Sequence, residues 1–331
     1  MGSPYPSASL TQLIQALVDG PWQQRMAASK ALLTFGAAAV EPLLALLEDG
    51  SPRVADARPD IIATLGLLGD TRALAPLIAQ LRASRAETRQ AAVNALANLR
   101  DPTAIAPLIG LFRHDEQARG DEAGAASVWN DAANALAVFG DRALPSLLTA
   151  IRDPHDNVRA WSALALGLVG GDAALGALRS ALADSNAQVR AQAVDALGLL
   201  ADQGAFAALA RALSADPDPF VRARAVYALA ALPGVATVNT LLPALRDPDS
   251  GVRCAAAYAI GCSGDQRAAG LLLGLLTDPS LEVREAAVLR LGEIADERSL
   301  PSLEPLTRDP TGAEHVRAFA LAAVERIRGR G

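Results

Sequence analysis

The sequence predicts an all-α protein, a right-handed α-solenoid of about ten helix-pair units, and three observations carry that expectation. The first is a recurring arginine: Arg159, Arg190, Arg222, Arg253 and Arg284 are spaced by 31, 32, 31 and 31 residues. A period of this length marks helical repeats, in which each unit buries its apolar face on its neighbours. The second is the pattern after each arginine, small residues followed by Ala-Leu-Gly or a close variant, as in Ala165-Leu166-Gly167, Ala196-Leu197-Gly198 and Leu291-Gly292. The third is composition. Hydrophobic residues make up 51 % and aromatics only 4 %, which suits close packing of Ala and Leu helices. At 331 residues the chain outgrows one ordinary core without a composition break, and repetition resolves the conflict.

Taken in order, residues 1–8 read as a loose, disordered terminus and residues 9–328 as a single solenoid. Leu10, Leu13, Ile14 and Leu17 stand at helical spacing, and 25–35 with 40–47 form the first helix pair. Arg25, Arg58 and Arg89 extend the arginine register backward, Trp129 stands where the next arginine is due, and Arg317 extends it forward. The step from Arg25 to Arg58 is 33 residues, so the turn at Ser51–Ala57 is slightly long. Second helices are predicted at 73–81, 105–112, 143–151, 174–182, 206–213, 238–245, 268–276 and 300–306. The many periodic glycines read as helix terminators.

From Arg89 to Trp129 is 40 residues, and the excess falls in the polar stretch His114–Ser127. Insertions in repeat arrays emerge as loops on one face, either contact sites or tolerated surface segments. The chain ends in a polar basic stretch, Glu325 to Gly331, with 329–331 as its tail.

Two columns run through the repeats. Asp153, Asp184, Asp216, Asp247 and Asp278 each stand six residues before a column arginine. At the turn entering the helix such an Asp can cap free N–H groups. Stacking would also bring it near the arginine of an adjacent unit, so Arg159, Arg190, Arg222, Arg253 and Arg284 complete a structural Asp–Arg ladder. The second helices are predicted to offer the binding face, with small residues such as Ala79, Gly110, Thr149 and Ser180. Arg82, Arg113, Arg152, Arg246 and Arg308 rim that face; they complement the helix C-terminal carbonyls or receive an acidic partner.

Among the few aromatics, Tyr227 and Tyr258 stand five residues after a column arginine and Trp161 two after, all predicted to point outward. Exposed Trp and Tyr are enriched at interfaces, so these three join Arg82, Arg113 and Arg152 as partner-binding candidates. Trp129 is expected to pack between units.

Several classes of chemistry are not indicated. The net charge of −6, with Lys30 the lone lysine, argues against nucleic-acid binding. No run approaches the roughly 18 apolar residues of a membrane span, and no signal peptide is evident, which makes the cytoplasm the default location. Cys254 and Cys262 lie eight apart on one helix, about 12 Å along its axis, too far for a disulfide; they read as buried apolar residues. His114, His155 and His315 fall in different units near turns, with no metal-ligand spacing. His114 beside Asp115 and Glu116 reads as solvated loop. No dinucleotide, phosphate-loop or nucleophile-elbow motif occurs. No cofactor, metal or catalytic residue is expected, and an enzyme acting alone is not indicated.

The unit D-P-x-x-x-V-R-x-x-A-x-x-A-L-G-x-x-G-D, followed by A-x-x-x-L-x-x-x-L, is nearly complete in 153–172, 247–265 and 278–296. It resembles the short HEAT-like repeats named after phycobilisome lyases, over roughly residues 10–328. The resemblance implies a scaffold or adaptor that presents a curved helical surface to a partner protein. It also implies an alternative, a bilin lyase subunit or chaperone handling bilins and phycobiliproteins, in which Arg82, Arg113 and Arg152 would pair tetrapyrrole propionates. The deoxyhypusine hydroxylase branch relies on His-Glu iron ligands, and this chain has no His-Glu pair.

Overall fold

A computed structural model of the chain describes residues 8–113, 122–201, 203–232, 237–308 and 313–329. These residues form helices and turns, with no strand among them. They divide into two compact units, 1–174 and 175–331, each a solenoid-type stack of helix pairs.

The first compact unit begins with α1 (Leu10–Asp19), α2 (Trp22–Leu32), α3 (Val40–Glu48) and α4 (Pro52–Ala55). It continues with α5 (Arg58–Leu68), α6 (Leu74–Gln80), α7 (Ala86–Leu99) and α8 (Ile105–Gly110). It ends with α9 (Glu122–Val138), α10 (Leu144–Ala150) and α11 (Asp156–Val169). A capping box starts α1: Ser9 Oγ accepts from the Gln12 N–H, and Gln12 Oε1 accepts from the Ser9 N–H at 2.9 Å. The long turn at 51–57 contains a helical turn of its own, α4, because Pro52 at its first position has φ already set for a helix. Trp22–Glu48 is apolar and long enough to cross a membrane by composition, contrary to expectation. Gly36, at φ 53° and ψ −132°, breaks it into α2 and α3.

After α12 (Asp172–Ala181), the second compact unit holds α13 (Ala187–Leu199), α14 (Phe206–Ala215), α15 (Pro219–Ala231), α16 (Thr237–Leu241) and α17 (Ser250–Gly261). It is completed by α18 (Ala268–Leu273), α19 (Leu281–Ile294), α20 (Leu300–Leu306) and α21 (Glu314–Arg328).

Within each compact unit, helices that carry the column arginine, or Trp129 in α9, pack directly on one another; the second helices of the pairs touch each other little. The contact is made by small residues. A Cβ on Gly198 would lie 2.9 Å from the Cα of Ala228, and Gly66 stands likewise against Ala95, Gly292 against Ala323. These three glycines lie in the last turns of their helices without a left-handed backbone, and they admit a neighbouring backbone rather than making the turn that ends the helix, which corrects the terminator reading. Gly69, at φ 70°, is a terminator.

Of the predicted insertion, 114–121 lies outside the described residues. Residues 122–127 are helical, since the Ala-rich sequence lets α9 propagate back to Glu122.

Candidate partner-binding surface

The arginine column anchors the stack. In the second compact unit Arg190 forks onto Asp216 (2.7 and 2.8 Å), Arg222 onto Asp247 and Arg253 onto Asp278, each acid belonging to the next repeat. The Nη1 of each arginine also donates to two turn carbonyls of its own repeat, as Arg253 does to Asp247 at 2.8 Å and Pro248 at 3.0 Å. Arg284 and Arg159 hold Asp278 with Pro279, and Asp153 with Pro154, in the same way. The column acids do not cap helices themselves. Asp153, Asp184, Asp216, Asp247 and Asp278 accept from the N–H two residues on. In three repeats the residue so held, Asn186, Asp218 or Asp249, is the one whose side chain caps the helix.

Burial pushes Asp216 and Asp247 up, but the guanidiniums of Arg190 and Arg222 and the backbone N–H bonds hold both carboxyls below the ordinary range. For Asp278 the Arg253 bond is the leading cause of the same lowering.

The first compact unit departs from this pattern where its sequence does. Arg58 and Arg89 serve turn carbonyls, and Arg25 takes Asp60 at 2.8 Å. Trp129 replaces an arginine, and Arg113 from the second helix pairs with Asp153 instead. Trp129 donates Nε1–H to the Leu111 carbonyl at 3.1 Å. Its ring lies 5.8 Å from that of Trp161, which stacks on Phe112 at 6.3 Å. Trp161 is therefore half-buried in an aromatic cluster, not the outward anchor its position predicts.

Exposed large apolar side chains have one address. Among the described residues, Trp22, Met26, Leu67, Val138, Leu199, Phe220, Tyr227, Leu281, Phe319 and Leu321 all lie on arginine-column helices, and none on a second helix. Leu67, Val138 and Leu199 share a register, nine residues after Arg58, Trp129 and Arg190. In the second compact unit Leu199 (60 % exposed), Phe220 (50 %) and Tyr227 (49 %) lie on α13 and α15. Arg224 pairs with Asp195 at 2.8 Å and sits 5.6 Å from the Phe220 ring. Arg290 lies 4.4 Å over Tyr258, which is half-buried, and pairs with Glu293 at 2.7 Å. Burial pushes the Asp195 carboxyl up despite Arg224, and it also raises the Tyr227 phenol, helped by Cys254 and Tyr258.

The second-helix face matches its predicted composition. Ala79, Thr149, Ser180, Pro243 and Gly274 are exposed, and Arg82, Arg152, Arg246 and Arg308 make no ion pair among the described residues. It offers no large apolar anchor.

The cysteines are free. Cys262 is exposed, contrary to expectation, because it follows the last residue of α17, and Arg290 donates to its Sγ at 3.2 Å. Burial, then Glu282 and Glu285, pushes the half-buried Cys254 thiol up. Among the described residues no cluster of His, Cys, Asp and Glu could hold a metal. A groove of about 810 Å³ between α17 and α19 contains Asp265–Arg267 and Asp296–Arg298, each acid already neutralised by its own arginine.

The profile of the HEAT repeats family matches residues 55–129, 126–187, 176–249 and 238–325. No curated protein matches the sequence. Among solved structures, the chain is similar to Kap121p, at 13 % identity and a TM-score of 0.67, over 96 % of this chain and 41 % of that one. It is similar to the Escherichia coli protein YibA at 19 % identity and 0.50, over 68 % and 96 %. It is also similar to the CpcE–CpcF complex of phycocyanin lyase from Nostoc at 24 % identity and 0.38, over 70 % and 90 %. At these identities the likeness to Kap121p and YibA is one of fold.

Proposed function

Because the chain belongs to the HEAT repeats family, we propose that it is a non-catalytic scaffold that binds a partner protein through the exposed face of its arginine-column helices. The observation that carries this reading is the confinement of every exposed large apolar side chain, among the described residues, to that one layer. Scattered surface leucines need no explanation, but exposed apolar side chains gathered on one layer, with Phe220 beside Arg224, have the make-up of an interface core. Burying Leu199, Phe220 and Tyr227 would each contribute about 1.5–3 kcal/mol, enough to anchor a complex. Within each compact unit these helices are also the layer whose members pack directly on one another, and we place the concave side of the stack there.

The test is the Phe220→Ala/Tyr227→Ala variant of the full chain, with partners crosslinked in native lysate and identified by mass spectrometry. It should keep the wild-type melting temperature and lose a partner that wild type recovers. Loss of that partner from Arg82→Ala/Arg152→Ala, with Phe220→Ala/Tyr227→Ala unaffected, would move the contact to the second helices. The bilin-handling alternative needs Arg82, Arg113 and Arg152 free together, and Arg113 is engaged by Asp153.

A further inference from the structure

One arginine of the second compact unit lacks a partner that its counterparts have. The turn entering a second helix reads Asp-x-Arg three times: Asp70-Thr71-Arg72 before α6, Asp265-Gln266-Arg267 before α18 and Asp296-Glu297-Arg298 before α20. In all three the aspartate accepts from Nε and Nη2 of its own arginine. Nη1 is left to reach back to the second helix of the preceding repeat. Arg72 donates it to Glu41 Oε1 at 2.7 Å, and Arg267 to Asn239 Oδ1 at 2.8 Å. Glu41 and Asn239 each stand eight residues before the aspartate that follows their helix, Asp49 or Asp247. Eight before Asp278 stands Gly270, which has no side chain to offer. Among the described residues Nη1 of Arg298 has no acceptor. The Arg298 side chain is accordingly 79 % exposed, against 54 % for Arg267 and 45 % for Arg72.

Gly270 and Arg298 line one groove of about 530 Å³, with Leu271 and Leu273 along it. A Cβ at Gly270 would meet nothing within 4 Å, so the space that Glu41 and Asn239 fill elsewhere is open here. Asp296, the acid in the lining, is the one that Arg298 already holds. Arg72 shows what such a paired arginine can still take, for its guanidinium binds Asp70 and Glu41 at once. A bond between two charged groups is roughly twice as strong as a neutral one, which favours a carboxylate over an amide. Glu297, the other acid of the turn, is exposed and does not line the groove. Leu271 and Leu273 are half-buried and leave an apolar margin beside the donor. We propose that this groove receives an acidic side chain of a partner protein, its carboxylate bonded to Arg298 Nη1 as Glu41 is to Arg72. The proposal rests on the protein-binding reading and adds a contact apart from the apolar residues of α13 and α15.

Short random peptides displayed on phage provide the probe, selected on the full chain and counter-selected on Gly270→Glu, which fills the groove from within. The best is labelled and titrated by fluorescence anisotropy against wild type, Arg298→Ala and Tyr227→Ala. Selected peptides should share an acidic residue, and changing it to its amide should weaken binding about tenfold or more. Arg298→Ala should weaken binding as much with little change in melting temperature, while Tyr227→Ala binds as wild type does. In thermal melts Gly270→Glu should exceed Gly270→Ala, and the difference should vanish when Arg298 is also replaced by Ala. The proposal is overturned if no peptide survives counter-selection, or if the amide peptide or Arg298→Ala binds as tightly as the original pair. It is overturned too if Gly270→Glu melts no higher than Gly270→Ala. Partner loss in Phe220→Ala/Tyr227→Ala would stand in any of these cases, so the two readings fail separately.

Discussion

Arg222 grips Asp247 of the following repeat at two points, Nε to Oδ2 at 2.8 Å and Nη2 to Oδ1 at 2.7 Å. Its third nitrogen donates to the carbonyls of Asp216 at 2.9 Å and Pro217 at 3.3 Å. One side chain thus fastens the turn before its own helix and the turn before the next. Asp216 accepts in turn from Arg190, so the fastenings run on without a gap.

Replacing Arg222 by Ala would leave a mostly buried carboxylate and two turn carbonyls without their donor. The expected loss is about 3 kcal/mol, read from the midpoint of urea unfolding. Arg222→Lys should recover only part of it, because an ammonium cannot fill the planar fork. An unchanged midpoint for Arg222→Ala would show that the pair contributes nothing.

The acid limb of stability follows from the same residues. Asp216, Asp247 and Asp278 have folded-state pKa values depressed below the ordinary 3.8. A depressed carboxyl stabilises the fold above its unfolded value and ceases to do so as pH falls through the folded one. Melting temperature should therefore hold above about pH 5 and fall steeply below about pH 4. Asp195, raised by burial, acts in the opposite sense. The Asp216→Asn/Asp247→Asn/Asp278→Asn variant should start lower at neutral pH and show a flatter fall.

Glycines of the two environments should respond oppositely. Gly198→Val forces atoms into the Ala228 backbone and should cost about 1–3 kcal/mol. A Cβ at Gly110 meets nothing within 4 Å, and Gly110→Ala should stabilise by about 0.5–1 kcal/mol. Thermal melts of the two variants check both signs.

A free linear tetrapyrrole should keep its absorption spectrum when mixed with this protein, since Arg113 is held by Asp153. A shifted spectrum that Arg82→Ala/Arg152→Ala abolishes would restore the bilin reading.

The helix pairs were legible because the period repeats: the predicted 300–306 and the observed Leu300–Leu306 coincide. The partners of Asp216, Asp247 and Asp278 were legible too, since a constant offset from each arginine admits few geometries, whereas Asp153 takes Arg113 of a second helix instead. The surface was harder to read. Leu199 looks like any core leucine of an amphipathic helix, and its exposure emerges only when α13 and α15 are placed side by side. Gly198 resembles a terminator until Ala228 is seen against it. Trp161 reads as outward on its own helix, whereas Phe112 and Trp129, supplied by other elements, enclose it. Periodicity reports what each helix does to its neighbour; it is silent where one unit differs from the rest.

Because the fastenings from Arg190 to Asp278 join like to like, that part of the array can be shortened without redesigning a joint. Asp216-Pro217 and Asp247-Pro248 are the same dipeptide one period apart. Excising 217–247 would splice Asp216 to Pro248 and restore the local sequence of an intact turn. Arg190 would still meet Asp216, and Arg253 would inherit the carbonyls that Arg222 now holds. A cut that is not a whole number of periods would leave an arginine facing the wrong turn. Length in this chain is a quantity adjustable in whole steps, and the arginine fork sets the size of the step.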